Sequence, residues 1–180
     1  MWTTIVLVLL ALVVVYLYNG LVRLRVQAEN AWADIDVQLR RRHDLIPNLV
    51  ETVKGYATHE KGTLEAVMEA RSRAMSAQGP ADAARAENAL TATLRSLFAV
   101  AEAYPQLRAV ESFTELQRSL QQVEEALQNA RRYYNAVVRD LNTRIAQFPS
   151  NLVALSFRFR PREFFEAAEE DREVPRVRFQ

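Results

Sequence analysis

Cysteine is absent from the 180 residues. That excludes a disulfide framework, thiolate metal ligands and a cysteine nucleophile. Glycine (4) and proline (6) are scarce, so few positions break a helix. Strand-like runs are nearly missing. After residue 20 the chain is dominated by Ala, Leu, Glu, Arg and Gln, all strong helix formers. No charge sign prevails: 23 Lys+Arg against 22 Asp+Glu leave a net charge of +1. A nucleic-acid binder usually carries a strong basic excess, so none is expected as a partner.

Histidine is nearly absent too, with only His43 and His59. A di-iron helical bundle needs Glu-x-x-His on two helices, and here Arg40 and Tyr56 stand three residues before the histidines. Asp34 and Asp36, two apart, face different directions on a helix. No metal or other cofactor is therefore expected. His43-Asp44 and His59-Glu60 are sequence neighbours, and adjacent helical residues do not face each other. A nucleophile elbow, a Gly-rich phosphate loop and a zinc-protease motif are all missing. The expectation is a non-enzyme with no catalytic residue and no small-molecule substrate.

No side chain among the first 22 residues is charged at neutral pH, and Arg23 is the first that is. Ile5 to Val15 is apolar at every position. A bilayer-spanning helix needs about 20 mostly apolar residues. Trp2 stands at one end of the stretch and Tyr16 and Tyr18 at the other, where amphipathic rings favour the headgroup level. A cleaved signal peptide would want basic residues before the run and small residues after it. Tyr-Leu-Tyr-Asn-Gly is a poor cleavage site, so an uncleaved anchor is predicted. Arg23 and Arg25 follow the stretch at once, and basic flanks mark the cytoplasmic side. The expected topology is single-pass in the inner (plasma) membrane, N-terminus outside and the remainder cytoplasmic.

The rest reads as helices. Leu21, Leu24, Ala28, Ala31, Ile35 and Leu39 form one apolar face, and Trp32 lies beside it as core or flank. Asp44-Leu-Ile-Pro47 offers an N-cap and a first-turn proline. It predicts a break near His43, or alternatively a kink within one long helix. Ala77-Gln-Gly-Pro80 is a turn, Tyr104-Pro105 ends a third helix, and Phe148-Pro149-Ser150 ends a fourth. That fourth helix has a coiled-coil-like stripe running through Val110, Phe113, Leu120, Val123, Leu127, Tyr134, Val137 and Leu141. The prediction is all-α: an N-terminal single-pass transmembrane helix (1–22), an antiparallel, up-and-down four-helix bundle (23–149; about 23–43, 45–77, 82–103 and 106–147), and an irregular C-terminal tail (150–180).

The stretch from Asn30 to Ala57, NAWADIDVQLRRRHDLIPNLVETVKGYA, closely resembles the signature of the LemA family. His59-Glu60, Ala70-Arg71, Ala103 to Ala109, Ala130-Arg131, Tyr134-Asn135 and Phe148 to Val153 are similar to its later blocks. The resemblance covers nearly the whole chain. It is loose between Gln122 and Asn129, and around Ser156 to Phe159, where the family often has a Gly-Phe pair, this chain is more basic. The resemblance implies one N-terminal membrane helix, an outside N-terminus, a cytoplasmic four-helix bundle, no established catalysis and a role among membrane partners.

Arg40, Arg41 and Arg42 look like a lipid-headgroup patch, but on a continuous helix Arg40 would lie about 30 Å beyond the membrane end. Attraction to the leaflet fades within about 8 Å. With His43 and Asp44 they are a candidate partner surface instead. Asn30, Asn48 and Asn135, near apolar stripes, are read as register-fixing amides, and Gly55 as a close backbone approach. In the tail, Phe157, Phe159, Phe164 and Phe165 with Arg158, Arg160 and Arg162 either contact lipid or cap the core, and Glu166 to Glu173 is acidic. The function expected is a membrane-anchored interaction or scaffold module with membrane-protein partners or self-association. The alternative is a homo-oligomer that organises or shapes membrane.

Overall fold

The computed structural model describes residues 1–57 and 59–166. All regular structure among them is helical: α1 Trp2–Lys54, α2 Lys61–Ser76, α3 Pro80–Glu102, α4 Pro105–Arg108, α5 Glu111–Ala146 and α6 Ser150–Ser156. These elements fall into two compact units. One comprises residues 1–37 and 128–164; the other comprises residues 38–127 with Phe165 and Glu166.

The break expected near His43 does not occur. Helix α1 runs through Pro47 and ends at Lys54. An interior proline removes one N–H and leaves the carbonyl four residues back without its helical donor. That carbonyl belongs to His43, and it accepts instead from Arg71 Nε at 2.7 Å. The interruption comes at residues 55–60, where turn bonds such as Tyr56 N–H to the Val53 carbonyl at 3.0 Å replace the ladder. The helix expected over 45–77 is thus divided between the end of α1 and α2. Gly55 lies exposed in that turn, and a Cβ there would meet the Thr52 carbonyl at 3.6 Å and the Glu51 carbonyl at 4.0 Å. This is ordinary contact rather than the close approach expected of it.

Between α2 and α3, Gly79 adopts φ +80, and Pro80 occupies the first turn of α3. The fourth expected helix is also interrupted. At Ala109 and Val110 the amides bond back only three residues, to Gln106 and Leu107. Buried Leu107 therefore sits on the one-turn α4, and the stripe of α5 begins at Phe113. The core of the 38–127 unit draws on Ile46, Leu49 and Val53 of α1, Leu64, Val67 and Ala70 of α2, Leu90, Leu94 and Leu97 of α3, Leu107, and Phe113 and Leu120 of α5.

In the other unit, Leu21 packs with Val153 and Ala154, bordered by Val14, Leu17, Ile145 and Phe159. The tail expected to be irregular here contains α6. After it, Asn142 holds the chain by both backbone groups of Arg162: Nδ2 donates to the carbonyl and Oδ1 accepts from the N–H, each at 2.9 Å. Tyr134 meets the ring of Trp32 at a tilt, centroids 5.7 Å apart, and donates its hydroxyl hydrogen to the Glu163 carbonyl at 2.9 Å. Beyond Glu166 the acidic stretch falls outside the described residues.

Candidate functional site

Two groupings of polar and aromatic side chains stand out, one in each unit. The first surrounds the end of the apolar stretch. Helix α1 carries a segment long and apolar enough to cross a membrane, with a mean hydropathy of 2.7 and almost none of it buried. Trp2 and Tyr16 are exposed, and Arg23 and Arg25 are exposed about two turns beyond Tyr16. Tyr18 meets Phe157 and Phe159, with ring centroids at 4.8 and 5.8 Å. The Arg25 guanidinium lies 5.6 Å from the Phe159 ring centre, a cation over a π face.

The structure separates the seven tail residues that the sequence treats as one group. Phe165 is buried, and Phe159 and Phe164 are half-buried. Phe157 stays 54 % exposed. Arg158 and Arg160 are exposed, whereas Arg162 is tied to Glu29 at 2.6 Å. Three exposed apolar residues were missed: Phe148, Leu152 and Leu155, the last 80 % exposed. Their spacing of four then three is the helical signal that could have found them. Burial raises the Tyr134 phenol above its ordinary pKa; Arg162 opposes the shift and Glu163 adds to it.

The second grouping corrects the expected partner surface. Arg42 and His43 are buried, only 4 % and 6 % exposed. Both engage Glu87 of α3, itself 1 % exposed. Arg42 Nη1 reaches Glu87 Oε2 at 2.8 Å, and His43 Nε2 reaches Oε1 at 2.6 Å. Arg42 Nη2 donates to Thr91 Oγ1 at 2.8 Å and lies 3.2 Å from Glu124 Oε2. The Thr91 hydroxyl donates to the Glu87 carbonyl at 2.9 Å. Each buried charge thus has a partner, which burial demands. Sequence missed Glu87 because nothing local marks it; on the apolar face of α3 it sits between Ala84 and Leu90.

Arg40, Arg41 and Asp44 remain exposed. Arg41 and Asp44 line a groove of about 560 Å³ with Gln38, Leu45 and Asn48 of α1 and Ser119, Gln122, Val123 and Ala126 of α5. Six of these nine residues carry polar side chains, and Leu45, Val123 and Ala126 supply apolar wall between them. Neither His43 nor Glu87 lines it. Gln38 Oε1 is buried without a hydrogen-bond partner. Asn48 and Asn30 are exposed and Asn135 half-buried, so the first two do not act as buried register amides.

Known proteins match this chain along most of its length. A family model, described as the LemA family, matches residues 31–179. Two similar proteins are the Magnetosome proteins MamQ 1 and MamQ 2 of Paramagnetospirillum magneticum, each 24% identical over 175 residues. The match covers 83% of this chain and 64% of each relative, so the chain spans less than two thirds of the length of the curated relatives it matches.

Proposed function

The chain belongs to the LemA family, and from that premise we propose that it is a membrane-anchored helical module that works by binding partners. In this reading residues 1–22 cross the inner membrane once, with the N-terminus outside. The later helices are cytoplasmic and offer the groove beside Arg41, Asp44 and Asn48 to another membrane-associated protein. The observation that carries the reading is the apolar surface of α1 from Ile5 to Val15, exposed at every large side chain but Val14. A surface of that extent is far larger than a soluble monomer leaves in water. Arg23 and Arg25 favour a cytoplasmic C-terminal flank. The groove is supported by the charges of Arg41 and Asp44 and the amide of Asn48, which stand exposed beside the apolar Leu45 and Val123.

The test uses the absence of native cysteine. A cysteine at Thr3 should react with an impermeant thiol reagent on intact cells, while one at Ser76 should react only after lysis; the reverse pattern refutes the topology. Photo-crosslinkers at Arg41 and Asn48 should capture membrane proteins in intact cells. Adducts consisting only of this chain would favour the homo-oligomer instead.

A further inference from the structure

We propose that the end of the anchor carries a binding site for the phosphate of an anionic phospholipid, with α6 as a short interfacial helix inserted beside it. The inference rests on the reading of residues 1–22 as a membrane span. A cavity of about 280 Å³ lies at Arg25, Arg158, Arg160 and Arg162, floored by Phe159 and Leu141. Glu29 occupies Arg162 at 2.6 Å and approaches Arg25 at 4.0 Å. Among the described residues no side-chain hydrogen bond or ion pair engages the guanidinium of Arg158 or Arg160. The cavity is therefore net cationic, with guanidinium groups suited to a phosphate.

Its depth fits a headgroup. If the hydrocarbon ends near Val22, Arg25 lies about 5 Å beyond it, at 1.5 Å per residue. The headgroup layer is roughly 5–7 Å thick on each side. Helix α6 packs on Val14, Leu17 and Leu21, and these reach about 12 Å below that boundary. An interfacial helix buries its apolar face about 5–10 Å deep. The outward face of α6 supplies Leu152 and Leu155, continued by Phe148 and Phe157, all exposed.

The backbone of α6 is also prepared for lipid, where unsatisfied polar groups are costly. At its start the amides of Asn151 and Leu152 bond to the carbonyls of Gln147 and Pro149. At its end the amides of Arg158 and Phe159 bond to the carbonyls of Leu155 and Ala154. This capping motif needs a left-handed residue, usually glycine. Arg158 fills it at φ +58. A strained backbone that presents a cation at the mouth of a cationic cavity is what a binding role would retain.

The full chain, reconstituted in vesicles, tests this in two arms. Single cysteines replace Leu10, Leu155 or Val37 and carry a fluorophore, with quencher bromines on the lipid acyl chains. Labels at Leu10 and Leu155 should be quenched and that at Val37 should not. Quenching at Leu10 without quenching at Leu155 overturns the inference and leaves the anchor intact; no quenching at Leu10 overturns the anchor reading itself. In the second arm, native mass spectrometry of the full chain counts retained phosphatidylglycerol against phosphatidylcholine. Arg158→Gly with Arg160→Gln should lower the preference about twenty-five-fold, each arginine near an anionic surface being worth roughly a factor of five. The Gly substitution eases the backbone, so loss of folding is not expected, and the Leu10 label reports insertion independently. An unchanged preference overturns the site; a preference abolished by millimolar inorganic phosphate overturns the lipid as its occupant and leaves a site for free phosphate.

Discussion

Arg71 Nε donates to the carbonyl oxygen of His43 at 2.7 Å, and His43 is the residue whose helical donor Pro47 removes. A side chain on α2 thus completes the backbone of α1. The two residues should be energetically coupled through that carbonyl. Arg71→Met should lower the stability of the full chain in detergent by about 1–3 kcal/mol, the cost of leaving a buried acceptor unpaired. With Pro47→Ala in place the carbonyl regains a donor of its own, and the same Arg71 change should cost less. A double-mutant cycle should yield a coupling of about 0.5–3 kcal/mol. A coupling near zero would mean that Arg71 acts through packing alone.

Glu87 should be the most sensitive polar position in the 38–127 unit. It answers both Arg42 and His43 from a buried site. Glu87→Gln should destabilise by about 3–5 kcal/mol, because removing one partner strands the other charge. Pairing it with Arg42→Met should recover part of the loss. Denaturant midpoints for the two single variants and the pair decide this. Strictly additive losses would show that Arg42 is satisfied elsewhere, through Glu124 or Thr91.

These two arrangements mark where sequence reasoning stopped. The all-helical class was legible because so few residues break helices and the apolar positions recur every three or four. The long apolar N-terminal helix was legible because the first 22 residues carry no charged side chain and hardly a helix breaker. Pro47 was misread because a proline preceded by Asp44 fits a helix start, and only a distant arginine makes its interior position tolerable. Arg42 and His43 were assigned to a surface because charge usually means exposure; their partner Glu87 lies 45 and 44 residues away. Helix α6 is only seven residues long, too short to show a period of its own. Its stripe emerges only when Phe148 is counted with it.

Alkaline conditions should weaken the fold partly through Tyr134. Its phenol is raised above the ordinary value in the folded chain, chiefly by burial. An unfolded tyrosine titrates near pH 10. Below that pH both states hold the proton and the contribution is fully present. Between pH 10 and the raised folded value the unfolded state binds fewer protons, so stability falls as pH rises. Tyr134→Phe should cost about 0.5–1.5 kcal/mol at neutral pH by removing the hydrogen bond to the Glu163 carbonyl. It should also flatten the decline above pH 10. Parallel pH–stability curves for the two proteins would show that other groups govern the alkaline limb.

Arg158 should be a position where stability can be raised by substitution. It holds φ +58 at the end of α6, a conformation costing an L-residue roughly 1–2 kcal/mol that glycine escapes. Glycine adds about 0.4–1 kcal/mol of unfolded-chain entropy in the opposite direction. The difference predicts that Arg158→Gly stabilises by up to about 1 kcal/mol. Charge could give the same sign, since Arg25 and Arg160 line the same cavity. Arg158→Ala separates the two causes, because it removes the charge and keeps the backbone strain. Melting of the full chain in detergent should rise for the glycine variant and not for the alanine variant. An equal rise for both would place the cost in crowded guanidinium groups rather than in the backbone. The cavity would then be held open against its own repulsion, which the addition of anionic lipid should relieve in the parent chain alone.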